Sequence, residues 1–120
     1  MNAVVSAVTK HDKQATKELL KDYPKMSQMI TGLSHKQELT QQEQQVNKVY
    51  KHLVEHVHLA HSLILDDEVK RIIEHRYFKS RSYMLTSIQF RSIMSERTID
   101  RRIEKGVSMI TESLKLWGVI

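Results

Sequence analysis

Residues 95–110 read SERTIDRRIEKGVSMI and separate into two faces when they are wound as a helix at about 100° per residue. Arg97, Arg101 and Lys105 share one face, with Thr98 beside them. The opposite face is apolar and continues along the chain as Ile99, Ile103, Gly106, Val107, Ile110, Leu114 and Trp117. The stretch therefore predicts an amphipathic helix whose apolar stripe packs on a core and whose cationic side points outwards.

Residues at both ends of this predicted helix are typical of helix termini. Ser95 is a residue type that caps helix N-termini, and Glu96 suits the positive end of the helix dipole. Gly118 is placed to end the helix. Gly106 lies on the apolar stripe, where it predicts a close contact with another helix.

A short helix is predicted immediately before this one. Leu85, Ile88 and Phe90 are expected to point inwards, and Thr86 is a candidate cap. Residues 93–94 then form a brief apolar turn. A short helix, a tight turn and a capped second helix form the sequence outline of a helix-turn-helix.

The rest of the chain also has a helical pattern, with three glycines and one proline to interrupt it. A capping box at Thr9 and Asp12 predicts a first helix, which is expected to end before Pro24 because proline disfavours helical geometry in the preceding residue. Pro24 suits the first turn of a second helix. That helix would carry Met26, Met29, Ile30 and Leu33 on one side.

A second capping box, Thr40 with Glu43, predicts a long helix that continues to about Leu65. Its apolar seam alternates spacings of four and three residues and consists of Val46, Tyr50, Leu53, Val57, Ala60 and Ile64. Such a seam needs a partner helix. The pattern leaves open whether the partner is the segment 26–33 or a second subunit, as in a homodimer.

Asp66 or Asp67 is the expected cap of a further helix that runs to about Phe78. Its inward residues would be Val69, Ile72, Ile73 and Tyr77. The prediction is therefore an all-α protein in two parts. Residues 1–66 form an N-terminal helical segment and long helix for oligomerisation or interaction, and residues 67–120 form a C-terminal helix-turn-helix domain.

The basic charge is concentrated in the second part. The chain has a net charge of +5, and residues 69–107 hold ten Lys and Arg but only four Asp and Glu. Every arginine lies between Arg71 and Arg102. Arginine's planar fork binds phosphates and guanine edges, so we expect double-stranded DNA as the partner. The alternative is that these cations form an ordinary solvated surface. The basic loop, the short helix and the capped start of the next helix together favour DNA binding.

Several other classes are not expected. The chain has no cysteine, which excludes a disulfide scaffold, a thiolate zinc site and a thiol nucleophile. No apolar run approaches the roughly 20 residues of a membrane span, and residues 3–8 do not form a signal peptide pattern. No Ser/His/Asp arrangement, glycine-rich phosphate loop or metalloprotease motif is present. We therefore expect no enzyme activity, no cofactor and no membrane contact, and a cytoplasmic location in a bacterial host.

Four histidines, His52, His56, His58 and His61, cluster on the long predicted helix. His52 and His56 have the i,i+4 spacing of a metal-binding pair. No thiolate or suitably placed carboxylate completes a metal site, so the histidines are interpreted as surface or interface residues with no metal.

Three stretches together resemble a known family: HRYF at residues 75–78, SY at 82–83 and MSERTIDRRI at 94–103. They resemble the promoter-reading C-terminal helix-turn-helix of sigma factors. Within that group the chain looks most like the small phage late-gene transcription regulators of the RinA/ArpU type. Those proteins often begin with a helical segment similar to LLKDYPKM at residues 19–26.

The resemblance implies a sigma-like DNA-binding regulator that activates transcription of phage packaging and structural genes. It implies that Arg97, Thr98, Arg101 and Arg102 contact DNA, with Ser95 at the entrance of the helix. The complete predicted DNA-contacting set is Lys79, Arg81, Thr86, Arg91, Ser95, Arg97, Thr98, Arg101, Arg102 and Lys105. The alternatives are an adaptor that binds RNA polymerase or a sigma factor, and a helical phage assembly protein.

Overall fold

A computed structural model describes residues 7–120, and in this part of the chain all regular structure is helical. The five α-helices are α1 (Lys10–Ser34), α2 (Gln41–Ser62), α3 (Asp67–Ile73), α4 (Tyr83–Phe90) and α5 (Glu96–Leu116). A π-helical turn, Glu74–Phe78, continues α3. The all-α prediction is confirmed. Most of the apolar stretch at residues 3–8 lies outside the described residues, and no described helix has the length and apolarity to cross a membrane.

Local side-chain caps set the starts of α1 and α2. The Thr9 hydroxyl accepts a hydrogen bond from the Asp12 amide at 3.1 Å, and the Asp12 carboxylate accepts one from the Thr9 amide at 3.0 Å. Thr40 and Glu43 make the same reciprocal pair at 3.1 and 2.9 Å. Both capping boxes satisfy helix N–H groups that have no partner within the helix. The predicted starts of these two helices are confirmed.

The expectation that a helix ends before Pro24 is wrong, because α1 continues through Pro24. The proline removes one helical hydrogen bond and costs roughly 3 kcal/mol in a helix interior. Leu20, Met26 and Leu33 are buried on either side of it. Burial of such side chains contributes roughly 1.5–3 kcal/mol each, so packing of α1 offsets the cost of the proline.

Helix α1 and helix α2 form a hairpin, which gives the apolar seam of α2 a partner helix in the same chain. Val57, Ala60 and Ile64 of the seam are buried, and the residues nearer the start of α2 are partly buried. Helix α2 packs along α1 of the same chain and also against α5. The seam therefore finds its partner helices within the chain.

Helix α5 is central to the core. Ile99, Val107, Ile110 and Leu114 are fully buried, and this face packs on α1, α2 and α3. The predicted inward residues of α3 and the π-helical turn are buried too: Val69, Ile72, Ile73 and Tyr77. One cluster of buried residues thus includes members from both 1–66 and 67–120. The predicted boundary between residues 66 and 67 coincides with the start of α3, and the segments on its two sides share one hydrophobic core.

Gly106 within α5 and Gly118 just after its end have the roles that their positions predict. A Cβ atom at Gly106 would lie 2.5 Å from Cγ1 of Ile73, so the missing side chain allows α3 and α5 to approach closely. Gly118 has a φ of 72°. Its amide donates to the Lys115 carbonyl at 3.1 Å, and the Val119 amide donates to the Leu114 carbonyl at 2.8 Å. This pair of bonds is the Schellman ending of a helix.

Helix α4 differs from its prediction in both its cap and its inward face. Ser82, not Thr86, caps the helix, and its hydroxyl accepts a hydrogen bond from the Leu85 amide at 3.2 Å. Phe90 is buried as predicted, but Leu85 and Ile88 are about half exposed. The buried face consists of Thr86, Ser87 and Phe90. The prediction of the inward side is wrong because a helix of eight residues has too few apolar positions to define a stripe.

Candidate nucleic-acid interface

The N-terminal end of α5 is capped by a side chain and open to the surface. The Ser95 hydroxyl accepts a hydrogen bond from the Thr98 amide at 3.2 Å and lies 2.9 Å from the Thr98 hydroxyl. Ser95, Glu96 and Arg97 are exposed. The predicted cap is confirmed, and it presents the positive end of the helix dipole to the outside.

Three cations form what we call the cationic face of α5: Arg97, Arg101 and Lys105. All three are exposed, while Ile99 and Ile103 on the other side of the helix are buried. Within residues 7–120, none of the three makes an ion pair. The face therefore keeps its full charge available for a partner.

The acidic residues of the same helix are held by other elements. Asp100 accepts a hydrogen bond from the Tyr83 hydroxyl at the start of α4, and this bond is the main reason why the pKa of Tyr83 rises to about 12. Glu104 pairs with Lys17 of α1 at 3.1 Å. The ion pair with Lys17 offsets the charge of Glu104, whereas the hydrogen bond from Tyr83 positions Asp100 without cancelling its charge.

Arg102 does not join the cationic face. Its guanidinium donates to the Asp66 carboxylate at 3.0 Å and lies 3.3 Å from the carboxylate of Glu68. Its side chain is 30% exposed, whereas its neighbour Arg101 is exposed. Arg102 joins α5 to the start of α3, and its contact with DNA stays a prediction.

Thr86 is misplaced in the predicted set. Its side chain is completely buried, and its hydroxyl lies 2.8 Å from Nδ1 of His75. Burial is the main cause that lowers the pKa of His75, and the nearby Arg81 and Lys79 lower it further. A side chain that has no exposed surface makes no contact with DNA, so Thr86 is a structural residue of α4.

The remaining predicted cations flank α4. Lys79 and Arg81 lie in the loop before the helix, and Arg91 is its C-terminal cap; all three are exposed. The Arg76 guanidinium donates to the Arg81 carbonyl at 3.1 Å and stacks 4.9 Å above the centre of the Tyr77 ring. These contacts hold the backbone of the basic loop while its cations stay free to reach outwards.

A groove that the sequence did not indicate runs beside the acidic flank of α5. It has a volume of about 290 Å³, and its lining includes Lys17 and Lys21 of α1, Arg76 of the π-helical turn and Tyr83 of α4. No local pattern joins these residues, because α1 meets the later elements only after folding. The groove adds three basic side chains next to the start of α5.

The surface at the cationic face itself is shallow. Thr98, Arg101, Arg102 and Lys105 border a depression of about 140 Å³. A second depression of about 430 Å³ borders Arg101, Lys105 and Ser108, and both depressions are open to solvent and do not enclose a ligand. An exposed helix with an open cationic side fits an extended anionic partner better.

Comparisons with known proteins add nothing to these observations. The chain matches no protein-family model, no curated protein and no solved structure.

Proposed function

We propose that this protein is a sequence-specific regulator of transcription that binds double-stranded DNA through the N-terminal half of α5. One observation carries the proposal: the cationic face is exposed and unpaired, while Asp100 and Glu104 of the same helix are held by other side chains. The major groove of DNA is wide enough to accept an α-helix. The order of α4, a tight turn and the capped α5 supports this mode of binding.

The residues divide by the kind of contact that their chemistry suits. Arg97 and Arg101 can read guanine edges through two hydrogen bonds each, which gives roughly 1–3 kcal/mol of discrimination per base. Lys79, Arg81, Arg91 and Lys105 are placed at element ends or at the edge of the face, where phosphate contacts would set the register. Ser95 and Thr98 complete the helix start in the proposed interface.

The proposal extends to activation of phage late genes, for which the resemblance to RinA/ArpU-type regulators is the support. The hairpin of α1 and α2 would then provide the surface for RNA polymerase or for a second copy of the chain. Both helices pack on α5, so they would hold a fixed position relative to the DNA.

A second candidate function is an adaptor that binds RNA polymerase or a sigma factor without reading DNA. One feature favours it: the outer side of α4 and the turn after it expose Met84, Leu85, Ile88 and Ile93, which are 48–69% exposed. Contiguous exposed apolar surface often marks a protein interface.

Selection of bound sequences from a random pool of double-stranded DNA tests the first proposal. We expect one enriched motif, whose affinity for the protein falls steeply as salt rises because bound counterions are released. If no motif is enriched and the protein captures RNA polymerase in the absence of DNA, the adaptor replaces the DNA reader.

A further inference from the structure

Helix α2 has a pair of histidines that the proposed function does not use. His52 and His56 lie one helical turn apart, with His52 exposed and His56 partly buried. The centres of their rings are 4.2 Å apart. Two imidazoles at this spacing project from the same side of a helix, where one ion can reach both.

A backbone hydrogen bond prepares His56 as a ligand. Its Nδ1 lies 2.7 Å from the His52 carbonyl oxygen. A carbonyl only accepts, so Nδ1 carries the proton of the neutral ring and Nε2 has its lone pair free. Histidines that bind metals commonly donate their other ring N–H to a backbone carbonyl in this way, which fixes the tautomer and the ring orientation.

We propose that His52 and His56 form a binding site for a divalent transition-metal ion, with Cu²⁺ as the preferred ion. Imidazole ligands suit zinc, copper and nickel, and the order of affinities among these ions places Cu²⁺ first. No group of three metal-ligating side chains exists in the part of the chain that the structure describes. Water therefore completes the coordination, and the ion stays accessible from solvent.

The site is separate from the proposed DNA interface. The His56 and Trp117 rings pack in a T-shaped arrangement, with ring centres 5.8 Å apart. Trp117 caps the C-terminal end of α5, about 30 Å along the helix from Ser95 at its N-terminal end. Metal binding and DNA binding can therefore succeed or fail independently.

The contact between His56 and Trp117 allows metal binding to be followed by tryptophan fluorescence. Trp117 is the single tryptophan of the chain. Paramagnetic Cu²⁺ quenches indole fluorescence at short range, so an ion on His56 must change the emission of Trp117. Titration of the full chain with CuSO₄ in a weakly coordinating buffer is expected to give saturable quenching, which EDTA reverses. The ion should also raise the melting temperature, because it binds the folded helix better than the unfolded chain.

His52→Ala is the decisive variant. His52 is exposed, and among the ring contacts that the structure describes it packs on His56 and not on Trp117. We expect the variant to weaken quenching by about tenfold or more, since even the loss of a supporting contact around a metal costs 10–100-fold in affinity. His58→Ala is the matched control: His58 is exposed on another side of α2 and its loss should leave the titration unchanged. Unsaturable quenching, or a His52→Ala titration that equals that of the original chain, would overturn the site.

Discussion

Arg102 of α5 donates a hydrogen bond to Asp66, the residue that caps α3, at 3.0 Å. The other oxygen of the Asp66 carboxylate accepts from the amides of Glu68 and Val69 at 2.9 and 3.2 Å. These amide bonds, that of Val69 first, lower the pKa of Asp66, and the charges of Arg102 and Lys105 add to the effect. One carboxylate therefore fixes the start of α3 and joins it to α5.

Arg101→Ala and Arg102→Ala should separate DNA binding from stability. We expect Arg101→Ala to lower specific DNA affinity by roughly tenfold, within the 1–3 kcal/mol of a guanine contact, and to leave the melting temperature unchanged. Arg102→Ala should lower the melting temperature, because it leaves the carboxylates of Asp66 and Glu68 without their partner. Fluorescence anisotropy and thermal melting measure the two effects.

Arg71→Ala serves as the control for this pair, since Arg71 is an exposed arginine on α3 outside the cationic face. Equal loss of DNA affinity in Arg71→Ala and Arg101→Ala would contradict a specific role for Arg101.

Loss of a phosphate contact should change the salt dependence of DNA binding. For Arg91→Ala we expect the slope of log affinity against log salt to become shallower by about one, because one fewer counterion is released. Binding to DNA of any sequence should weaken to a similar degree. Anisotropy titrations at several salt concentrations provide the slope, and a slope equal to that of the original chain would remove Arg91 from the interface.

Gly106→Ala and Gly32→Ala should have opposite effects on stability. A methyl group at Gly106 would meet the buried Ile73 at 2.5 Å, and overpacking of this kind costs roughly 1–3 kcal/mol. At Gly32, in exposed helix, nothing lies within 4 Å of the added methyl. There alanine should raise the free energy of unfolding by about 0.5–1 kcal/mol, because it suits a helix better than glycine. Urea denaturation measures both changes, and a stabilising Gly106→Ala would refute the close packing of α3 on α5.

Asp12 should make the stability of the folded protein depend on pH in the acidic range. Its hydrogen bond with Lys115 at 2.7 Å is the main cause that lowers the pKa of Asp12 from 3.8 to about 2. A lowered pKa favours the ionised carboxylate in the folded protein, so this contribution is complete above pH 3.8 and is lost as the pH falls through 2. Thermal melting across this range should show a decline that Asp12→Asn reduces. An equal decline in both proteins would exclude Asp12 as its source.

Much of the helical framework follows from neighbours in the chain. The caps at Thr40 and Ser95 were predicted because a capping hydroxyl and its amide partner are three residues apart. The faces of α5 were predicted because its stripe spans several turns. In contrast, α4 is too short for such a pattern, and the continuity of α1 through Pro24 depends on packing between helices.

The sequence by itself determined that this chain is helical, where most of its helices begin, and which side of α5 carries charge, because these features depend on residues within a few turns. Only the tertiary structure decided which charges remain free. Arg101 and Arg102 are adjacent and chemically identical, yet Arg102 meets Asp66, which is 36 residues away, and Arg101 meets solvent. Folding brings that carboxylate to one arginine and not to the other, so the candidate interface is defined by contacts that no local pattern contains.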